Sequence, residues 1–304
     1  MQKRRVSKVL HQGYGPFLLP GLLLVGLVVG VPFLTNVVVS FTRWTGVGWP
    51  RFAGLANYRR ALADSTFWAS FQNNLILILA VTVIPTLLGL VVAMVLYDTV
   101  ARRFGAGAVS VLKAGLYVPQ VLPVVVAGIV WGWILDPGGG ALNALLRAAG
   151  LSGLARSWLG DPATALPSVG GIMVWFQLGY PLVIFMAAVQ RIDPQILEAA
   201  ELDGARWRHR FHLVTHLIRP EILVVVLTTT IYALKLFGPI YVLTRGGPGT
   251  ATIVPSYFAY QAFFERAQVG YGAAITTLMT VIILALTAFF IRAQHHQERA
   301  MEGR

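Results

Sequence analysis

Asp193-Pro194-Gln195-Ile196-Leu197-Glu198-Ala199-Ala200-Glu201-Leu202-Asp203-Gly204-Ala205-Arg206-Trp207-Arg208-His209-Arg210-Phe211-His212-Leu213-Val214-Thr215-His216-Leu217-Ile218-Arg219-Pro220 is a densely charged stretch set between two long apolar segments. Asp193 followed by Pro194 has the chemistry of a helix start: a side-chain acceptor at the cap and a residue without an N–H in the first turn. Gly204 stands where a helix would end, because glycine takes a positive φ without strain. A second helix is expected from Ala205, with Trp207, Phe211, Val214 and Ile218 spaced four, three and four apart and so forming one apolar stripe. The stripe leaves Arg206, Arg208, Arg210 and His212 on other faces. The stretch therefore predicts a helix, a turn and a helix that can lie apolar side down while offering charge outward.

The surroundings of this stretch are of another kind. Of 304 residues, 56% are hydrophobic and only 12% charged, with a mean hydropathy of +0.69, against about 25% charged in an average soluble domain. This is the composition of an integral membrane protein. A formal charge of +12 would suggest a nucleic-acid partner in a soluble chain, but here the basic residues gather at the ends of apolar runs, where they orient helices. No nucleic acid is expected. With no cysteine, disulfides, thiolate nucleophiles and Cys-based metal sites are excluded. His209, His212 and His216 could share a helix face, but no carboxylate-rich constellation surrounds them, so they read as solvated and no metal is expected.

A hydrocarbon core about 30 Å thick needs roughly 20 apolar helical residues. Six runs meet that need, predicting an all-α, polytopic protein with helices at about 17–41, 67–97, 114–135, 168–190, 221–243 and 270–291, and the loop 193–220 between the fourth and fifth. The whole of 1–304 reads as one transmembrane domain. The first run follows Lys3, Arg4, Arg5 and Lys8 but is too long for a signal peptide and lacks a clear cleavage site. Placing the N-terminus inside puts fifteen lysines and arginines on the cytoplasmic side and eight outside, the asymmetry that orients membrane proteins. Both termini and the loop 193–220 are then cytoplasmic. Trp44, Trp49 and Tyr58 fall in an external connection, as interfacial anchors or as a docking surface for an external partner.

Within the apolar runs, Pro85, Pro119, Pro123 and Pro181 with Gly89, Gly128 and Gly179 permit close helix packing or a pathway that bends as it opens. Lys235 is a charge at membrane depth, a functional candidate by its cost alone, although a carbonyl or a partner subunit could also hold it. Thr228, Tyr232 and Lys235 fall at i, i+4 and i+7, on one helix face. Gln120, Gln177 and Tyr180 are further polar groups at depth. Hydroxyl-rich solutes are bound by such groups; helix–helix hydrogen bonding would use them equally well.

The string Glu198-Ala199-Ala200-x-x-Asp203-Gly204-Ala205, with Phe211 and Val214, resembles the Glu-Ala-Ala loop of binding-protein-dependent importers of the ATP-binding-cassette superfamily. Asn57-Tyr58, Phe67-Trp68 with Asn74, the Pro119–Trp133 run, Leu135-Asp136-Pro137 with Asn143, Thr244-x-Gly246-Gly247-Pro248-Gly249 and Gly270-Tyr271-Gly272-x-Ala274 are similar to the carbohydrate-uptake subfamily of those permeases. The resemblance implies that the loop docks on a separate ATPase, with Glu198, Ala199, Ala200, Asp203, Gly204, Ala205, Arg206 and Arg208 as the coupling surface. It implies a second permease subunit, two ATPase subunits carrying ATP and Mg, a solute-binding protein outside, and a place in the prokaryotic inner membrane. The chain has no Gly-Lys dipeptide and hence no phosphate loop, so it is not itself the ATPase, and no enzyme motif is present. Two departures stand out: His216-Leu217 replaces the usual Leu-Pro, and Gly238 follows Phe237 where members often carry an acid. The expected solute is a sugar or oligosaccharide moved by alternating access. Lys235 motivates the alternative of a glycerol phosphate or another anionic sugar relative, and an autonomous secondary transporter is the alternative of another class.

Overall fold

The computed structural model describes residues 15–302, with side chains from 17 to 292. Lys3, Arg4, Arg5, Lys8 and Arg304 of the charge count lie outside the described residues, as does the Arg299 side chain. The described chain is almost wholly helical, with one two-stranded antiparallel pair in which Thr42 faces Phe52 and Arg43 faces Arg51. It divides into two compact units, Met1–Ala63 with Ala259–Leu278 and Asp64–Phe258 with Met279–Arg304.

In the first unit, the helix Phe17–Ser40 has none of its most apolar stretch buried. Phe17, Leu22 and Leu27 are 83%, 65% and 69% exposed, a surface that only lipid or another apolar partner can cover. Its polar anchors lie near its end. Asn36 donates to Thr277 Oγ1 at 3.1 Å and accepts from Thr276 at 3.2 Å. Asn57 donates to the Ser40 and Thr42 carbonyls at 2.9 and 2.8 Å. Gly270 lies against that same Thr42 carbonyl, where a Cβ would stand 2.0 Å away, and Gly272 lies against the Phe263 ring. The glycines of Gly270-Tyr271-Gly272 are thus places where backbone meets backbone or ring.

The second unit centres on the helix Gly179–Val189, whose Leu182, Phe185 and Val189 are fully buried. Two glycines bring neighbours onto it: a Cβ on Gly89 would lie 2.9 Å from Pro181 Cβ, and one on Gly179 would lie 2.8 Å from Tyr117 Cα.

Among the described residues, four helices are long and apolar enough to cross a membrane: Phe17–Ser40, Ser65–Val121, Pro162–Val189 and Val269–Arg292, or five if Trp207–Leu217 with Arg219–Leu234 counts as one span bent by 71°. The count differs from the expected six because helix continuity does not follow apolarity. Ser65–Val121 runs 57 residues, far beyond a bilayer's need, and Gly105 breaks it with φ 78° and ψ 175°. The run expected as one helix over 114–135 is cut at Leu122, whose ψ of 140° is extended, because the ring of Pro123 crowds the preceding residue out of the helical region. The helix resumes as Val124–Ile134. The run over 221–243 is cut after Leu234: Pro239 would drive its ring into the carbonyl four residues earlier, that of Lys235. A short helix, Gly238–Leu243, follows. Two side chains hold the carbonyls around this break, Asn74 donating to Ala233 O at 3.0 Å and Ser256 donating to Leu236 O.

Candidate functional site

The charged stretch forms two helices, Pro194–Leu202 and Trp207–Leu217. Asp193 caps the first, its carboxylate accepting from Gln195 N at 3.0 Å. The helix closes with Gly204 at φ 77°, Gly204 N donating to Glu201 O at 3.0 Å and Ala205 N to Ala200 O at 2.9 Å. That pair of bonds is the Schellman arrangement, which needs a left-handed residue between them. A Cβ on Gly204 would meet nothing within 4 Å, so glycine is there for its backbone, and the space above it is open. The second helix starts at Trp207, two residues later than expected, because Arg206 is extended at ψ 166°. At the exit, where His216-Leu217 departs from the familiar pattern, the helix simply ends and Ile218 turns at φ −98° and ψ 20°. Pro220 then sits in the first turn of Arg219–Leu234, where a missing N–H costs nothing.

The apolar stripe lies on the protein. Val214 and Ile218 are 1% and 2% exposed and join Leu197 in the cluster around Phe185 and Val189, with Phe211 packed against it. Trp207 is partly exposed and stacks on Phe211, centroids 5.3 Å apart. Glu198, Ala199, Leu202, Asp203, Gly204, Arg206 and Arg208 are exposed, with Ala200 and Ala205 half-buried. Leu202 is 89% exposed, an apolar knob amid charge.

Arg210 departs from the expected outward face. Its side chain is 16% exposed and pairs with Asp98 at 2.7 Å and Glu201 at 3.4 Å. It lies one turn before Val214, so the stripe's own burial carries it inward. Arg102 makes a two-pronged contact with Glu201 at 2.9 and 2.8 Å. That hydrogen bond, helped by the charges of Arg102 and Arg210, holds the Glu201 carboxyl below its ordinary range. Tyr97, Asp98, Arg102, Glu198 and Arg210 line a cavity of about 330 Å³ beside this cluster.

Of the intramembrane candidates, the structure joins Tyr180 and Thr228, whose hydroxyls are 3.0 Å apart. Tyr232 is half-buried on the same helix. Lys235, expected on the same helix face, instead caps its end and is exposed. Gln177 is 3% exposed. Its Oε1 and that of Gln120 are buried without a partner among the described residues, as are the hydroxyls of Thr82 and Thr86. Sequence reasoning missed Asp98, Thr82 and Thr86. Asp98 had a signal, being the one acid between Asp64 and Asp136; the threonines had none, since nothing local separates a solute-facing hydroxyl from one bonded to its own helix.

The described residues form a many-helix chain with a charged helical pair packed on its core. The chain belongs to the family of binding-protein-dependent transport system inner membrane components, whose model matches residues 110–303. It is 35% identical over 273 residues to a probable ABC transporter permease protein of Pyrococcus horikoshii, covering 89% of this chain and 91% of that one. It is 31% identical over 242 residues to the trehalose/maltose transport system permease protein MalF of Thermococcus litoralis, covering 79% of each. Its fold matches that of a bacterial ABC transporter involved in importing the acidic polysaccharide alginate, with TM-score 0.81 at 19% identity over 96% of this chain and 99% of that one.

Proposed function

We propose that this chain is the permease subunit of an ATP-driven importer that moves a sugar or oligosaccharide into the cytoplasm by alternating access. The observation that carries the reading is the helical pair 193–220, apolar stripe buried on the bundle and Glu198–Ala205 turned outward around an unobstructed Gly204. A surface so built transmits a push: what binds it moves helices packed on Leu197, Val214 and Ile218. ATP and Mg belong to two partner ATPase subunits that grip Glu198, Leu202 and the backbone at Gly204, with Arg206 and Arg208 beside them. A second permease subunit completes the pathway, and an external solute-binding protein delivers the solute. In this reading six spans place both termini and the loop on the cytoplasmic side. Gln120, Gln177, Tyr180, Thr228 and Tyr232 line the path, where unpartnered amide oxygens can accept from solute hydroxyls. The sugar class is supported by the trehalose/maltose relative.

In the complex with its ATPase subunits, Glu198→Ala weakens ATPase retention on purification and Gly204→Val lowers solute-stimulated hydrolysis at least tenfold. Wild-type retention and stimulation in both variants would overturn the reading. Exposed Lys235 at the helix break favours a second reading, an anionic sugar relative such as a glycerol phosphate. Lys235→Gln should then raise the KM for the anionic solute while leaving a neutral sugar unaffected; equal KM values in variant and wild type reject it. No observation favours an autonomous secondary transporter.

A further inference from the structure

We propose that Asp98 and Arg210 are positioning residues for energy coupling: with Arg102 and Glu201 they form a four-charge clasp that fastens the charged helical pair to the middle of the Ser65–Val121 segment. The proposal rests on the reading of that pair as the ATPase-docking element. Two segments far apart in sequence meet here. Asp98 stands in the π-helical turn Leu96–Val100, Arg102 opens the helix Ala101–Val121, and Glu201 and Arg210 come from the two helices of the loop. The Asp98 side chain is 9% exposed and that of Arg210 16%, so each would be costly to bury alone; together two acids and two arginines sum to zero, and removing one leaves an uncompensated charge.

Two features set the clasp apart from a static ion pair. The cavity of about 330 Å³ beside it, lined by Asp98, Arg102 and Arg210, leaves these side chains room to move, while Leu96, Leu197 and Val214 pack in one core cluster behind them. Each arginine also has one near and one far acid: Arg210 reaches Asp98 at 2.7 Å and Glu201 at 3.4 Å, Arg102 reaches Glu201 at 2.8 Å and Asp98 at 3.6 Å. Arg210 Nε is buried without a partner among the described residues. A square with two short and two long sides and a spare donor can shift its pairings while the elements tilt, without either charge being abandoned. A displacement of the loop therefore reaches the Ser65–Val121 segment through Asp98.

The test uses the full complex, reconstituted in liposomes with its ATPase and second permease subunits, solute-binding protein and solute. The readouts are ATPase retention and solute moved per ATP hydrolysed. Asp98→Asn retains the ATPase but lowers solute moved per ATP at least tenfold, and the exchange of all four charges, Asp98→Arg and Glu201→Arg with Arg102→Glu and Arg210→Glu, recovers at least half of wild-type coupling. An assembled Asp98→Asn complex with the wild-type ratio overturns the proposal. If Asp98→Asn does not assemble, the charge exchange decides alone: an assembled exchange that is coupled supports the clasp, and one that is assembled but uncoupled overturns it. Failure of the docking reading looks different, since Glu198→Ala would then keep its ATPase.

Discussion

At the residue scale, Glu201 shows how one carboxylate reports on the loop. Arg102 holds it below the ordinary glutamate value of 4.5, so the folded loop prefers the ionised form. The stability this contributes is complete above about pH 4.5 and is lost as the pH falls through the depressed value. Acidification below pH 4.5 should therefore loosen the helical pair, seen as weaker amide protection over Pro194–Leu202 relative to the intrinsic exchange rate at each pH, and Glu201→Gln should remove that acid-dependent component. An exchange pattern equally acid-sensitive in the variant would assign the effect to another group. Gly204 teaches a complementary lesson. The space around a side chain there is open, so the penalty of Gly204→Val lies in a left-handed backbone, about 1–2 kcal/mol for an L-residue and more for a branched one.

At the element scale, the decisive contacts are glycines rather than large side chains. Gly89 admits Pro181 and the backbone of Leu182 to within 3.1 Å of where its Cβ would be. Gly89→Val must push the Gly179–Val189 helix outward and should destabilise the protein by about 1–3 kcal/mol, read as a lowered midpoint of thermal unfolding in detergent; an unchanged midpoint would mean the helices separate without cost. How much of this was legible follows from how local each cause is. Asp193, Pro194 and Gly204 specify caps through their own backbone, so the helical pair could be read directly. Trp207 to Ile218 specify a buried face by spacing alone. Pro123 and Pro239 were visible too, but hydropathy averages over the breaks they impose, which is why apolar runs read as continuous helices. Arg210 was misplaced because its partner Asp98 belongs to a different helix, and no local pattern carries that pairing.

At the scale of the whole molecule, the unit formed by Asp64–Phe258 and Met279–Arg304 holds the loop, the clasp, the helix break and the unpartnered amides of Gln120 and Gln177. The other unit contributes a contrasting kind of surface. Because the most apolar stretch of Phe17–Ser40 buries nothing against its own chain, exchanges among leucine, valine, isoleucine and phenylalanine along it replace one hydrocarbon by another in a solvent equally apolar. In a saturation survey of substitutions this helix would be almost silent, its sequence free to drift so long as it stays greasy, with Asn36 and Ser40 as the two positions where a change of letter is heard.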